Sequence, residues 1–314
     1  MPRGRKSRQK SAESRLKRAV VLLVLIAVSL AAILLLLPER GTGPGPAASG
    51  TGGQPAPEQR AGGEQPPQEV RPRREVGPQV SGRRERVLRK ARIAVLIDDA
   101  GYSLDAIRPF LELPQPIAFS ILPNLPYSSE CARRIAAAGK ELLLHLPMEA
   151  VDGNDPGPGA ILTSQDDEEI RRLLEQNLAQ VPGAVGVNNH MGSKATADER
   201  VMNAVMRYLK GRGVFFLDSR TTPNSVARAS ASRYSVPFIE RDVFLDNDPQ
   251  TDRILNALEQ GVRLASRDGQ AVLIGHVQNP QIVDVLEEFL AHLEATGVEI
   301  SPLAALIQNG EARP

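Results

Sequence analysis

Cysteine occurs once in this 314-residue chain, at Cys131, so no intrachain disulfide can form and a folded domain must draw its stability from an apolar core. Tryptophan is absent and aromatics make up only 4% of residues. That scarcity argues against a reader of single-stranded nucleic acid built on stacked rings, and against a tryptophan-lined sugar cleft. Neither sign of charge is in excess: 38 Lys and Arg against 37 Asp and Glu leave a formal charge of +1. The balance conceals two basic segments, residues 1–18 and 71–92, with most of the acids elsewhere. No recognised nucleic-acid motif appears in the remainder, so no nucleic-acid partner is expected.

What is present begins with one long apolar run, AVVLLVLIAVSLAAILLLL, over residues 19–37. At about 1.5 Å per residue it reaches about 28 Å, close to one hydrocarbon core, and reads as a transmembrane helix. A signal-peptide core is usually shorter, about 7–15 residues, so an anchor is expected rather than a cleaved leader. Arg3, Arg5, Lys6, Arg8, Lys10, Arg15, Lys17 and Arg18 precede the run. Residues 1–18 therefore form a basic cytoplasmic tail, and the rest of the chain is expected outside an inner (cytoplasmic) membrane, on the periplasmic or extracytoplasmic side. Residues 38–90 are rich in Gly and Pro over most of their length and lack helical or strand periodicity, which predicts a disordered tether.

From residue 91 to about 308, short apolar runs alternate with amphipathic stretches, the pattern of β/α units around a largely parallel sheet. Strand-like runs fall at 93–97, 117–122, 141–146, 184–189, 214–218, a looser 237–245, 271–276 and 298–301. Helices are expected at 103–112, 127–138, 165–180, 198–211, 224–234, 250–267 and 281–295. The fold class is α/β, and seven to eight units in one domain predict a (β/α) barrel. A Gly/Pro-rich loop between Glu149 and Leu162 is longer than a barrel turn needs.

Polar residues able to do chemistry end the apolar runs. Asp98 and Asp99 follow IAVLI; His145 follows ELLL; Asn188, Asn189 and His190 follow AVGV; Asp218, Ser219 and Arg220 follow VFFL; His276 follows AVLIG. Five strands thus point at one rim, where barrels of this class assemble active sites. A lone strand-end Asp often caps a helix and a lone His often packs, but three of the four histidines share this position. His292 lies within the last helical pattern and reads as exposed. Carboxylate and imidazole together can hold a divalent metal, with zinc the natural choice for mixed N/O donors, and such a site supports hydrolysis.

The runs IDDAGY (97–102), HLPME (145–149), NNHMGS (188–193), LDSRT (217–221) and IGH (274–276), taken in order, resemble the divergent polysaccharide deacetylase family over about residues 92–308. The resemblance implies a deacetylase-like barrel of the kind also used by glycoside hydrolases, an envelope setting and action on N- or O-acetylated polysaccharide, peptidoglycan-derived material included. It also implies roles: Asp98 as general base, Asp99 as metal ligand and His276 as general acid. Asp218 would orient His276 or line the site. Arg220 would pair with an acid or bind substrate, alongside Asn189 and Tyr102 as substrate-binding candidates. Paired histidines one helical turn apart are missing, because Leu146, Pro147, Met148 and Glu149 follow His145. The imidazoles must then come from His145 and His190 on different strands, or Glu149 must substitute.

The expected function is a metal-dependent carbohydrate deacetylase, a hydrolase of C–N bonds other than peptide bonds. Two alternatives use the same scaffold. One is a non-catalytic module that grips a glycan or a protein; the other is a glycoside hydrolase pairing Asp98 or Asp99 with Asp218 or Glu149.

Overall fold

The computed structural model describes residues 90–308, so the basic tail, the apolar run 19–37 and the tether up to residue 89 lie outside the described residues. Among the described residues no helix is long and apolar enough to cross a membrane. The chain runs β1 (Ala91–Ala100), α1 (Leu104–Glu112), β2 (Ala118–Ile121), α2 (Ser128–Ala137), β3 (Glu141–Met148) and α3 (Asp167–Ala179). It continues β4 (Gly186–Met191), α4 (Glu199–Leu209), β5 (Phe215–Asp218), α5 (Ala227–Tyr234), β6 (Phe238–Glu240) and β7 (Val243–Phe244). It ends α6 (Thr251–Asp268), β8 (Gln270–His276), α7 (Gln281–Leu290), β9 (Val298–Ile300) and α8 (Leu303–Gln308). Local chemistry sets the helix starts: Asp166 accepts from Glu169 N at 2.8 Å and Asp198 from Val201 N at 3.0 Å, each satisfying a free first-turn donor. The expected last helix stops at Leu290, and a 3-10 turn at Leu293–Thr296 takes its place.

All strand pairs are parallel, in the order β6-β5-β4-β3-β2-β1-β8-β7, with β9 beside the start of β1. The looser run 237–245, expected as one strand, is two. β6 pairs with β5 at one end of the sheet and β7 pairs with β8 at the other. Only Arg241 and Asp242 separate them, and these carry the ladder across: Arg241 N donates to Asp218 O at 3.0 Å and Asp242 N to Val272 O at 2.8 Å. One segment therefore draws both ends of the curled sheet together into a barrel-like form.

Strand alternation divides the core in two. Ala94, Leu96, Ala118, Leu143, Phe215, Leu217, Val272 and Ile274 form the inner cluster, closed from below by Leu303 and Leu306 of α8. Ile93, Val95, Ile97, Phe119, Leu142, Leu144, Val187, Phe216 and Leu273 face outward under the helices. Glu141 fastens α8, accepting from Leu303 N at 2.6 Å. Leu96 is fully buried in the inner layer, so Leu96→Ala is expected to cost about 2–5 kcal/mol in urea unfolding. A smaller loss would mean that the inner layer collapses around the gap.

Candidate metal centre

The same alternation decides which strand-end polar groups enter the barrel mouth. Asp98 is in phase with Ala94 and Leu96, Ser120 with Ala118, His145 with Leu143, Asn188 and His190 with Gly186, and His276 with Val272 and Ile274. Asp99 is out of phase, and two linked features return it to the site. The β1–β2 register gains a residue between Ile97 and Ala100, a bulge, and Asp99 adopts φ +67°. Aspartate tolerates this left-handed turn better than most side chains. Consecutive acids thereby reach one centre.

Asp99 Oδ1, His145 Nε2 and His190 Nδ1 form a triangle with 3.1 Å on every side. In a tetrahedral zinc site with bonds of about 2.0–2.1 Å, ligand atoms lie about 3.3 Å apart, so the three atoms fit around one cation. Asp99 Oδ1 is buried and no N–H is aligned on it, although both imidazole nitrogens face it. Its other oxygen accepts from Gln278 Nε2 at 3.1 Å, which leaves Oδ1 as the inward donor. Burial disfavours charge on Asp99, but the two imidazoles outweigh it and hold the carboxyl far below the usual carboxylate range. Burial likewise opposes charge on His145, yet the neighbouring Asp98 and Asp99 raise its pKa. The two carboxylates around His145 therefore favour positive charge at that position, as a cation site requires.

Asn188, one of the strand-end polar residues but given no role by the sequence, organises this cluster. It is fully buried; its Nδ2 donates to both Asp98 oxygens at 3.1 Å and to Ser219 Oγ at 3.3 Å. Its Oδ1 accepts from Ser120 Oγ and lies 3.0 Å from His145 Nδ1. With Nδ1–H donated to Asn188, His145 presents the lone pair of Nε2 to the centre, the usual outer-shell device for an imidazole ligand. Asp98 Oδ2 sits 3.6 Å from His145 Nε2, and burial raises the Asp98 pKa.

His276 flanks the centre, paired in register with Asp98. Its Nδ1 lies 2.9 Å from Asp246 Oδ1, its backbone N donates to Asp246 Oδ2 at 3.2 Å, and its ring stacks on Phe244 at 5.8 Å. Burial pulls the imidazole pKa down, but the bond to Asp246 and the charges of Asp98, Asp246 and Asp99 push it up to about 9. Asp246 therefore takes the orienting place expected of Asp218. It follows the apolar run 237–245 directly, so the strand-end rule that found the other acids also marks this one.

The remaining expected site residues lie apart from the cluster. Asp218 is out of phase, aligned with Phe216; it accepts from Ser225 Oγ at 2.6 Å and Arg220 N at 2.7 Å. Asn189 is 1% exposed and its amide is used by Ser219 N and Met191 O, so it braces the rim and offers nothing to a substrate. Arg220 pairs with an acid, Glu240, at 3.3 Å. Tyr102 stands 58% exposed above β1. Glu149 does not substitute for a histidine. Its carboxylate takes Thr163 N at 2.6 Å and Lys194 Nζ at 2.6 Å, pinning the 150–162 loop at its base.

The Asp246–His276 pair has a definite pH signature. The folded pKa of about 9 lies above the ordinary 6.5, so the pair's stabilisation is complete below about pH 6.5 and lost as pH rises through 9. In Asp246→Asn the His276 titration midpoint, followed by NMR, is expected to fall by about 1–2 pH units. An unmoved midpoint would place the source of the shift elsewhere.

Residues 95–307 match the divergent polysaccharide deacetylase family. The uncharacterised protein YibQ of Escherichia coli (strain K12) is 34% identical over 202 residues, covering 64% of this chain and 63% of YibQ. An uncharacterised protein of Haemophilus influenzae is 31% identical over 204 residues, 65% of this chain and 72% of that one. A crystal structure of an uncharacterised protein from Agrobacterium tumefaciens C58 superposes with a TM-score of 0.67 at 25% identity, covering 70% of this chain and 90% of that one. The family match runs from β1 into α8 and takes in the whole polar cluster; this chain belongs to the divergent polysaccharide deacetylase family.

Proposed function

We propose that this protein is a metal-dependent deacetylase of an acetylated cell-envelope polysaccharide, anchored in the inner membrane by residues 19–37 with the described domain on the periplasmic side. The observation that carries the chemistry is the 3.1 Å triangle of Asp99, His145 and His190 with Asp98 and His276 beside it. The anchor and its orientation are supported by the apolar run and the basic residues before it.

Asp99, His145 and His190 would hold the cation, zinc by the preference of an N/N/O donor set. When bound, it supplies Lewis-acid polarisation of an acyl oxygen and activation of water. Asp98 accepts the proton of the attacking water, a task to which a carboxyl with a raised pKa is better matched than an ordinary one. His276, protonated at neutral pH, delivers a proton from Nε2 to the departing amine or alcohol, while Asp246 holds Nδ1. The glycosidase alternative gains no support over this reading, its second acids Asp218 and Glu149 being bonded to Ser225 and Arg220 N and to Thr163 and Lys194.

Full-length protein in detergent is expected to carry about one zinc per chain by inductively coupled plasma mass spectrometry, and close to none in His190→Ala or Asp99→Ala. Asp98→Asn and His276→Ala are expected to keep the metal while acetate release from N-acetylated glycan strands falls at least about 100-fold. Absence of stoichiometric metal from the wild type, with no acetate release, would favour the binding-module alternative.

A further inference from the structure

Large hydrophobic side chains are well hidden in this domain. Among the described residues the exposed ones are Tyr102 at 58%, Tyr127 at 43% and Val151 at 73%. Their placement is not scattered. They follow β1, β2 and β3, three adjacent strands, at the C-terminal rim that carries Asp99, His145 and His190. Solitary exposed apolar residues need no explanation, but a set confined to the edge of a reactive centre marks a binding surface.

The two tyrosines sit on loops fastened to each other. Tyr127 N donates to Gly101 O at 3.0 Å, and Leu122 N to Ala100 O at 2.9 Å. Gly101 has φ +131°, and a Cβ there would stand 3.1 Å from Leu122 O and 3.2 Å from Leu125 Cδ1. Glycine is thus what lets the β1 and β2 loops meet this closely. Residues 101–104 (GYSL) and 122–129 (LPNLPYSS) contain no charged side chain, whereas charges are abundant on the helices. A tyrosine offers an apolar ring face with a hydroxyl at its edge, and each ring has few rotors to immobilise on binding.

We infer that Tyr102 and Tyr127 form a sugar-stacking platform beside the cation cluster, so that the substrate is gripped through several neutral sugar rings and not through the acetylated ring alone. The inference rests on the deacetylase reading for its occupant. An anionic polymer would find no cation on these two loops, and the uncharged, amphipathic surface matches the C–H faces and hydroxyls of pyranose rings. With tryptophan absent from the chain and no exposed phenylalanine among the described residues, tyrosine is the aromatic left for this work.

The test is the length dependence of binding. Full-length, zinc-loaded protein is titrated by calorimetry with N-acetylglucosamine oligomers of two to six units. The wild type is expected to bind the longest at least about tenfold more tightly than the shortest, and the Tyr102→Ala/Tyr127→Ala double variant to lose most of that difference. Zinc content at the wild-type level shows that the double variant is folded, and Tyr102→Phe/Tyr127→Phe should retain most of the length dependence. Affinity independent of length in the wild type, or unchanged length dependence in the alanine variant, overturns the platform. Acetate release measured on the same oligomers separates the two readings. Length-dependent binding without release sinks deacetylation and leaves the platform; release with no tyrosine effect on binding does the reverse. A patch that serves a protein partner would give no oligomer binding, which also overturns the inference.

Discussion

Two carboxylates and two imidazoles meet at the mouth of an otherwise apolar barrel, and the balance of their charges is the constraint around which this rim is built. Burying an unpaired charge costs several kcal/mol, so each group needs a fixed partner. The Asn188 carboxamide partners two of them: it donates to Asp98 and, while also accepting from Ser120, lies 3.0 Å from the side of His145 turned away from the centre. What it leaves without an aligned donor is Asp99 Oδ1, which the two facing imidazole nitrogens approach at 3.1 Å. Asp99 Oδ1 and the two ring nitrogens thus converge on one point.

Barrel closure and acid positioning share one piece of chain. The segment 238–246 pairs first with β5 and then with β8, and its last residue, Asp246, grips His276 at the end of β8. Arg241 lies between the two halves and donates to Ser219 O at 2.7 Å and Arg220 O at 3.1 Å, with its guanidinium 3.7 Å above the Phe244 ring. A change that loosened this segment would open the sheet and release the imidazole together. The outer helices contribute differently. Their ion pairs, such as Arg171 with Glu168 and Arg233 with Glu199, are solvent-exposed and add little each. Stability resides in the two apolar layers, which leaves the rim free to carry strained and polar groups.

That strain is visible in the backbone. Asp99, Met191 and Arg220 have positive φ and lie within two residues of the ends of β1, β4 and β5. Such conformations persist where surrounding structure over-determines them, and here they turn the chain sharply at the edge where ligand atoms must point inward.

Much of this was legible in the sequence by itself. Apolar runs of four to six residues followed by helical stretches set the order of strands and helices, because alternating burial and helical periodicity are local properties. The strand-end placement of Asp98, His145, His190 and His276 is equally readable, and strand phase turns Asn189 and Asp218 away from the mouth and Asn188 into it. Other features were decided only by the tertiary structure. The bulge and left-handed turn at Asp99 depend on how β1 registers against β2, and the split of 237–245 depends on where the two sheet ends meet. Asp246 reaches His276 only because β7 and β8 are neighbours in space while 30 residues apart in the chain. Local periodicity determines which residues form each strand; it carries no information on which strands lie side by side, and it is that adjacency which brings the ligand atoms within 3.1 Å of one another.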